Sequence, residues 1–237
     1  MDNKFLRLSR LALGATAAIA LAGCAGPNPK DPIEGFNRGV FAFNEGLDKA
    51  VIKPVAQGYD AVFPTPVKKG VGNFFSNVGD LLVGVNNLLQ GKVPQATSDL
   101  GRLVTNSTVG ILGLFDVASE IGFEKHNEDF GQTLGRWGMG PGAYLVLPVF
   151  GPRDVRDTIG LVANIELDPI GRIYPVNVRN SLVGTRLISD RSDLLPADKA
   201  IEEASLGDKY AYMRDSYLQR REYLIYDGKP PRAKEDF

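Results

Sequence analysis

The sequence predicts a mainly α-helical protein with at most a short stretch of strand. Apolar residues recur at helical spacing in two segments, residues 31–59 and 71–90. A third segment, residues 207–226, is rich in Lys, Arg and Glu, which are good helix formers. At 237 residues the chain suits one domain, or two small ones, with a sizeable core.

The first of these segments starts with residues typical of a helix N-terminus. Asp31 is a candidate N-cap, Pro32 would take the first helical position, and Glu34 follows three residues after the cap. Apolar residues then recur at helical spacing at Phe36, Val40, Phe43 and Leu47. Pro54, Pro64 and Pro66 interrupt the chain after this helix.

Residues 1–23 are a predicted lipoprotein signal peptide. Positive residues precede an apolar run, residues 11–22, that is too short to cross a bilayer as a helix. The run ends in Leu-Ala-Gly-Cys, which resembles the bacterial lipobox, and Cys24 is the only cysteine of the chain. We therefore predict that Cys24 carries acyl chains, whose buried methylenes each contribute about 0.8 kcal/mol to membrane binding. Residues 24–30 would form a short tether that reaches at most about 25 Å.

The balance of charge argues against two kinds of partner. Lys and Arg number 27 against 28 Asp and Glu, and removal of the signal peptide would make the chain slightly more acidic. A nucleic-acid-binding protein needs a basic surface, and a polybasic segment is what grips anionic lipid. We therefore expect no nucleic-acid partner.

The segment VGNFFSNVGDLLVGVNNLLQ, residues 71–90, has an apolar face and a polar face with a single charge. Two explanations fit this neutral face: its Gly and Asn residues pack closely on another helix, or they line a wet groove beside lipid, where net charge is costly. Phe75 and Leu82 would then face lipid or other helices. The predicted pore or seam residues are Asn73, Asn77, Asp80 and Asn87.

Two further stretches, Leu103–Phe115 and Trp137–Pro152, contain no charged residue. This scarcity of charge favours membrane contact. The predicted helix at 207–226 has charges along its length and is typical of a solvated helix.

Catalytic signatures are weak. His126, the only histidine, stands in the charged run EKHNED and is expected to be a surface residue, which disfavours a Ser-His-Asp triad or a histidine-rich metal site. The glycine run GRWGMGPG lacks the strand and the Lys-Ser/Thr pair of a phosphate loop, and is expected to be an ordinary loop. We predict no catalytic residues, no metal and no cofactor.

Four segments together resemble the VacJ-like, or MlaA, family of outer-membrane lipoproteins. They are DPIEGFNRGVFAFN, NSTVGILGLFDVA, EDFGQTLGRWGMGPGAYLVLPVFGPRDVRD and YAYMRDSYLQRREYL. The resemblance defines a predicted domain at residues 31–227 and leaves a polar tail, residues 228–237, that we expect to be disordered. A Pro-Tyr pair typical of the family before the apolar strip is replaced here by Gly142-Ala143-Tyr144.

The resemblance implies a single ring-like helical domain, with amphipathic helices lying in the outer membrane around a central channel. Such proteins remove misplaced phospholipids from the outer leaflet and pass them to a periplasmic lipid-binding carrier protein. The implied partners are phospholipid, a trimeric outer-membrane porin, that carrier and, indirectly, an inner-membrane ABC transporter. Two alternatives stay open: a lipoprotein that scaffolds porins, favoured if the neutral faces only pack on helices, and a membrane-anchored lipid hydrolase.

A candidate gate lies where the first helix approaches the apolar strip at residues 144–150. Phe43 and Asn44 precede Gly46, and the strip, which starts at Tyr144, lies between Gly142 and Gly151. Because glycine permits backbone motion and proline restricts it, the strip is either a stiff flap at the pore or an ordinary buried strand.

Overall fold

The computed structural model describes residues 28–231, so the predicted signal peptide, Cys24 and residues 232–237 lie outside the described part. Its α-helices are α1 (Glu34–Leu47), α2 (Lys53–Val62), α3 (Thr65–Leu89), α4 (Val93–Thr108), α5 (Val117–Glu120), α6 (Phe130–Arg136), α7 (Val155–Leu167), α8 (Val176–Leu194), α9 (Asp198–Ala204) and α10 (Lys209–Ile225). A π-helical turn, Asp48–Ile52, joins α1 to α2, and 3-10 turns lie at Pro169–Arg172 and Leu195–Ala197. The mainly helical prediction is confirmed.

The described sheet is one antiparallel hairpin. Strand β1 (Tyr144–Leu147) pairs with β2 (Gly151–Asp154), with Tyr144 opposite Asp154 and Leu147 opposite Gly151. The predicted strip of residues 144–150 is therefore a strand only in its first half. The inward side chains of β1, Tyr144 and Val146, form a small core with Tyr210 of α10.

Proline and aspartate set the starts of most helices. Pro54, Pro66 and Pro94 lie in the first turns of α2, α3 and α4, where a missing amide proton costs little. Aspartates accept backbone amides at the starts of α5, α6, α7 and α10, namely Asp116, Asp129, Asp154 and Asp208.

The predicted N-cap at Asp31 is wrong. Helix α1 begins at Glu34, and no side chain caps it. The Asp31 carboxylate is fully buried and accepts hydrogen bonds from Asn37 Nδ2 at 2.8 Å and from the Tyr210 hydroxyl at 2.5 Å. A buried carboxylate needs such donors, so Asp31 ties α1 to α10 instead of starting a helix.

Helices α3 and α4 form the longest packed pair and run antiparallel. The turn between them contains Gly91, whose φ of 76° is suited to glycine after a helix C-terminus. Helix α8 packs on α2 and α3, α6 packs on α7, and α10 packs on α6 and β2. The hairpin contacts α1 through β1 and α10 through β2.

Burial in this protein is inverted relative to a water-soluble domain. Among the described residues, nineteen polar or charged residues are buried, against nine hydrophobic ones. Large apolar side chains are exposed on seven of the ten described helices. Such exposure marks a surface that contacts protein or membrane. Within residues 28–231, however, no helix combines the length and the apolar character that crossing a bilayer requires.

Candidate functional site

Helix α3 presents three stripes of side chains. One faces a cavity and consists of Gly72, Ser76, Gly79 and Val83. A second, turned toward α4, consists of Asn73, Asn77, Asp80, Gly84 and Asn87. The third is apolar and consists of Val71, Phe74, Val78, Leu81, Val85 and Leu88. At about 3.6 residues per turn, residues three or four apart share a face, which separates the stripes.

The stripe toward α4 forms a closely packed polar seam. Asn77 Nδ2 donates to Ser107 Oγ at 2.9 Å, and Asn87 Nδ2 donates to Asp99 Oδ2 at 2.8 Å. A Cβ atom added at Gly84 would lie 2.8 Å from Leu100, so glycine allows the close approach. This is the close helix packing that the sequence left as one of its two explanations.

Charges in the seam are paired. Asp80 is fully buried and lies 2.5 Å from Lys125 Nζ and 3.4 Å from Arg102 Nε. His126, expected to be a surface residue, is instead partly buried. Its Nδ1 lies 3.2 Å from both carboxylate oxygens of the buried Asp99, which also accepts the His126 amide at 3.1 Å. The charged run EKHNED therefore closes one end of the seam.

The cavity stripe of α3 borders a cavity of about 670 Å³. The opposite wall comes from α8, and the ends come from α2 and from the loop that holds Lys125 and Asn127. Nothing lies within 4 Å of a Cβ atom built at Gly72 or Gly79, so the cavity is open along this stripe. Lys68 and Lys69 of α3 line one part of the cavity, but between Gly72 and Val83 the α3 side carries no charge. The small side chains there leave room for a flexible molecule along the helix.

Charged side chains surround this neutral wall. Lys68 pairs with Asp60 at one end, and Arg186 and Asp190 of α8 line the opposite wall. Asp190 touches solvent, yet the surrounding wall desolvates it and raises its pKa, although Arg186 opposes this effect. The cavity thus combines a neutral floor with polar groups at its edges.

The predicted pore residues are divided between cavity and seam. Asn73 lines the cavity and also donates to the Leu114 carbonyl at 3.1 Å. Asn77, Asp80 and Asn87 lie in the seam, and their assignment to a channel stays a prediction. Phe75, expected to face lipid or other helices, is only 4% exposed and lines the cavity, so it packs against protein.

The cavity residues Ser76, Gly79, Lys125 and Arg186 were not singled out by sequence reasoning. For the first two a signal was available, because small residues recur at helical spacing between Gly72 and Gly79. For the other two none was, since they come from other segments that only the fold brings to α3.

The candidate gate residues meet at the tip of the hairpin. Asn44 Nδ2 donates to the Leu147 carbonyl at 3.0 Å, and Asn44 Oδ1 accepts the Val149 amide at 2.8 Å. Phe43 and Phe150 are exposed on either side of this clamp. The structure therefore brings Asn44 to the strip, while Tyr144 at the other end of β1 is fully buried.

The two glycines that flank the strip share one requirement for glycine, and Gly142 has a second. Both have φ values near 70°, a conformation that favours glycine. A Cβ atom at Gly142 would also lie 2.9 Å from Val155, whereas nothing lies within 4 Å at Gly151. Gly142 additionally lines a second cavity of about 520 Å³, beside Arg156 and Arg221.

Helix α10 is only partly the solvated helix that its charges predict. Arg220 and Glu222 are exposed, but Arg221 is buried and bonds Asp129 at 2.6 and 2.9 Å and Asp157 at 2.6 and 2.8 Å. The neighbouring Asp154 caps α7, and burial raises its pKa to about 6. These ion pairs tie α10 to α6, α7 and the hairpin.

Within the described residues, no group of three or more His, Cys, Asp or Glu side chains has the arrangement of a metal site. His126, the residue that a hydrolase would need, is bound to Asp99 at the end of the seam. What the site offers is an open cavity beside a neutral helix face.

Comparison with known proteins identifies the family of this chain. Residues 29–224 match the family model of the MlaA lipoprotein. The chain belongs to the MlaA lipoprotein family. A relative from Escherichia coli K12, named the intermembrane phospholipid transport system lipoprotein MlaA, is 34% identical over 235 residues, covering 94% of this chain and 90% of the relative.

Other proteins similar to this chain include one of uncharacterized function and one of known structure. An uncharacterized protein of Rickettsia typhi is 36% identical over 196 residues, covering 82% of this chain and 78% of the relative. A solved structure, described as the structural basis for maintenance of bacterial outer membrane lipid asymmetry, matches with a TM-score of 0.72 and 30% identity. That match covers 82% of this chain and 98% of the solved chain.

Proposed function

We propose that this chain moves phospholipids out of the outer leaflet of the outer membrane, with the cavity beside α3 as part of their path. Membership of the MlaA family makes it an outer-membrane lipoprotein of intermembrane phospholipid transport and of lipid asymmetry, and not an enzyme. The lipid hydrolase alternative is thereby excluded. The observation that supports this lipid path is the uncharged stripe of α3 from Gly72 to Val83, which borders an open cavity of about 670 Å³.

The physical need for such a path follows from the two parts of a phospholipid. Its two tails hold roughly thirty methylenes, so moving them into water at about 0.8 kcal/mol each would cost more than 20 kcal/mol. Moving the head group through hydrocarbon is also costly, because its polar atoms lose their hydrogen bonds. A neutral polar wall lowers the second cost, while tails that stay in or beside lipid avoid the first.

The ring-like shape and a continuous central channel belong to this proposal, as do its specific partners. Phospholipid is the proposed cargo, a trimeric porin the membrane neighbour, a periplasmic lipid-binding protein the acceptor, and an inner-membrane ABC transporter the distant component. Porin scaffolding stays as a second role, supported by the half of the neutral face of α3 that packs on α4.

A gate at the hairpin is a further part of the proposal. Asn44 holds the exposed tip, and Gly142 and Gly151 border the strip on either side. We expect larger residues at Gly142 or Gly151 to impair lipid retrieval. Gly151 is the cleaner position, because a side chain at Gly142 would also collide with Val155.

The test of the path is to fill the cavity from α3. Gly79→Leu places a large side chain in the open space of the cavity and should raise the outer-leaflet phospholipid content of cells. Gly58→Leu is the matched control: Gly58 is an exposed helical glycine of α2 with nothing within 4 Å of an added Cβ. Both changes favour helix by a similar amount. Wild-type lipid asymmetry in the Gly79→Leu cells at equal protein abundance would contradict the proposed path.

The anchor is tested separately. Cys24→Ser should leave an uncleaved and mislocalised protein, because the acylated cysteine is the predicted attachment to the membrane. Mass spectrometry of the mature N-terminus should show acyl chains on Cys24, and an unmodified cysteine would refute the anchor.

A further inference from the structure

The loop that follows α4, residues 109–115, turns five large apolar side chains outward. They are between 41% and 70% exposed and comprise Val109, Ile111, Leu112, Leu114 and Phe115. The loop has no charged residue, and its other members are Gly110 and Gly113. Loops that face water are normally polar, so this surface fits an apolar environment.

The backbone amides of this 109–115 loop are mostly hydrogen-bonded within the protein. Six of its seven amides donate to carbonyls of α4 or of the loop itself: those of Val109, Gly110, Leu112, Gly113, Leu114 and Phe115. The Leu114 carbonyl also accepts from Asn73 Nδ2 of α3. A loop in water has no need to satisfy its amides internally, but a loop in hydrocarbon does, since no water is present there to bond them.

This arrangement depends on an unusual backbone. Ile111 and Leu112 have φ values of 53° and 57°, in the left-handed region that branched side chains rarely adopt. A Cβ atom at Gly110 would lie 2.2 Å from the Phe115 carbonyl oxygen, and one at Gly113 would lie 2.6 Å from Asn77 Cβ. The loop is therefore a built structure, fixed against α3 and α4.

The glycine-rich loop before the hairpin provides a comparison, because it is equally poor in charge. There, no group in the described part of the chain accepts from the amides of Gly140, Gly142 or Ala143. Two loops that both lack charged residues thus differ in how many of their backbone amides donate hydrogen bonds. In the glycine-rich loop only the amides of Gly138 and Met139 donate to backbone carbonyls, whereas in the 109–115 loop six of seven do. Of the two, the 109–115 loop is the better suited to hydrocarbon.

We propose that the 109–115 loop inserts into the hydrocarbon of the bilayer as an apolar wedge, with lipid acyl chains as its contact. Its side chains supply the affinity for lipid, and its internal hydrogen bonds remove the penalty for burying a backbone. The proposal rests on the outer-membrane location stated under the proposed function, and it is independent of the path through the cavity.

The experiment measures where the loop lies relative to lipid. Phe115→Cys and Tyr223→Cys each receive a nitroxide label in the full-length lipoprotein, reconstituted into vesicles of phosphatidylethanolamine and phosphatidylglycerol. Phe115 and Tyr223 are similarly exposed, at 59% and 57%, but Tyr223 lies on α10 beside charged residues. With Cys24 acylated, the introduced cysteine is the free thiol, and the unsubstituted chain should take up no label.

We expect the ratio of collisions with oxygen to collisions with a water-soluble nickel chelate to be several-fold higher at position 115 than at position 223. Oxygen concentrates in hydrocarbon and the chelate in water. A ratio at position 115 no higher than at position 223 would overturn the proposal, as would a label at 115 that is shielded from both reagents, which would indicate a protein cover. Circular dichroism of each variant establishes folding. Failure of Gly79→Leu to alter lipid asymmetry would leave this measurement unaffected.

Discussion

The α3–α4 pair and the region around α10 both bury polar side chains and both contain buried ion pairs, but in the seam side-chain amides of α3 add further bonds. In the seam between α3 and α4, side-chain amides of Asn77 and Asn87 bond a hydroxyl and a carboxylate, and glycine allows the close approach. Around α10, Arg221 holds two carboxylates, Asp129 and Asp157, at distances of 2.6–2.9 Å.

The exposed surfaces of the two regions also differ: that of α3 includes apolar residues and that of α10 charged ones. Leu88 and Leu89 of α3 are exposed, whereas the exposed residues of α10 include Arg220 and Glu222. The region around α10 surrounds its buried ion pairs with solvated charges, which suits water, whereas α3 places exposed leucines beside its seam, which suits contact with lipid or protein. The two regions therefore differ mainly in the side chains that they expose, since both bury paired charges.

The largest expected effect comes from breaking the ion network. Arg221→Ala leaves Asp129 and Asp157 without their main cation in a buried setting, and removal of one partner of such a network costs about 3–5 kcal/mol. Urea unfolding in detergent should show this loss. The control is the adjacent, exposed Arg220→Ala, expected to stay within about 0.5 kcal/mol of the wild type. Equal losses in both variants would show that the network does not stabilise the region.

Asp154 makes the same region sensitive to pH. Burial raises its pKa to about 6, above the ordinary value for an aspartate, so the folded state keeps this proton to a higher pH than the unfolded chain. On account of this group, stability falls as pH rises from about 4 to about 6. Asp154→Asn removes the effect, and its stability relative to the wild type should rise over that window by at most about 3 kcal/mol.

Asp208 supplies a control of the opposite sign for this pH dependence. Its pKa is lowered to about 2, chiefly by the hydrogen bond from Arg38, so its stabilising contribution is lost as pH falls through that range. Asp208→Asn should therefore lose stability relative to the wild type as pH rises from about 2 to about 4. A flat difference between the wild type and Asp154→Asn would refute the assignment to Asp154.

Close packing in the seam can be tested within one helix. Gly84→Ala puts a Cβ atom 2.8 Å from Leu100 and should destabilise by about 1–3 kcal/mol through overpacking. Gly79→Ala, on the open face of the same helix, should instead stabilise by up to about 1 kcal/mol, because alanine is the better helix former. If both variants gained stability, the seam would be looser than its distances indicate.

The smallest expected effect concerns the hairpin tip. Asn44→Ala removes bonds to the Leu147 carbonyl and the Val149 amide, each contributing about 1 kcal/mol. Hydrogen exchange at residues 147–150 should accelerate while exchange in α10 stays unchanged. Phe43→Ala is the neighbouring control, since Phe43 is exposed and makes no such bond. Unchanged exchange at the tip would remove Asn44 as its clamp.

Periodicity and composition determined the mainly helical fold and the position of α3. They also showed that the polar face of α3 is nearly free of charge, and that α10 is charged. The resemblance of four segments to a known family then predicted the family of the chain and its function. The strip at residues 144–150 left two interpretations, because a short apolar run does not reveal its pairing partner.

Only the tertiary structure decided which side of each helix is buried. The sequence left open whether the apolar face of α3 contacts lipid or other helices. The fold buries Phe75 and leaves Leu88 exposed. Asp31 and His126 look like a cap and a surface histidine in sequence, but long-range partners, Tyr210 and Asp99, draw them inward. Local pattern determines secondary structure, whereas partners distant in sequence determine burial, because a buried polar group is stable only where another element supplies its bond.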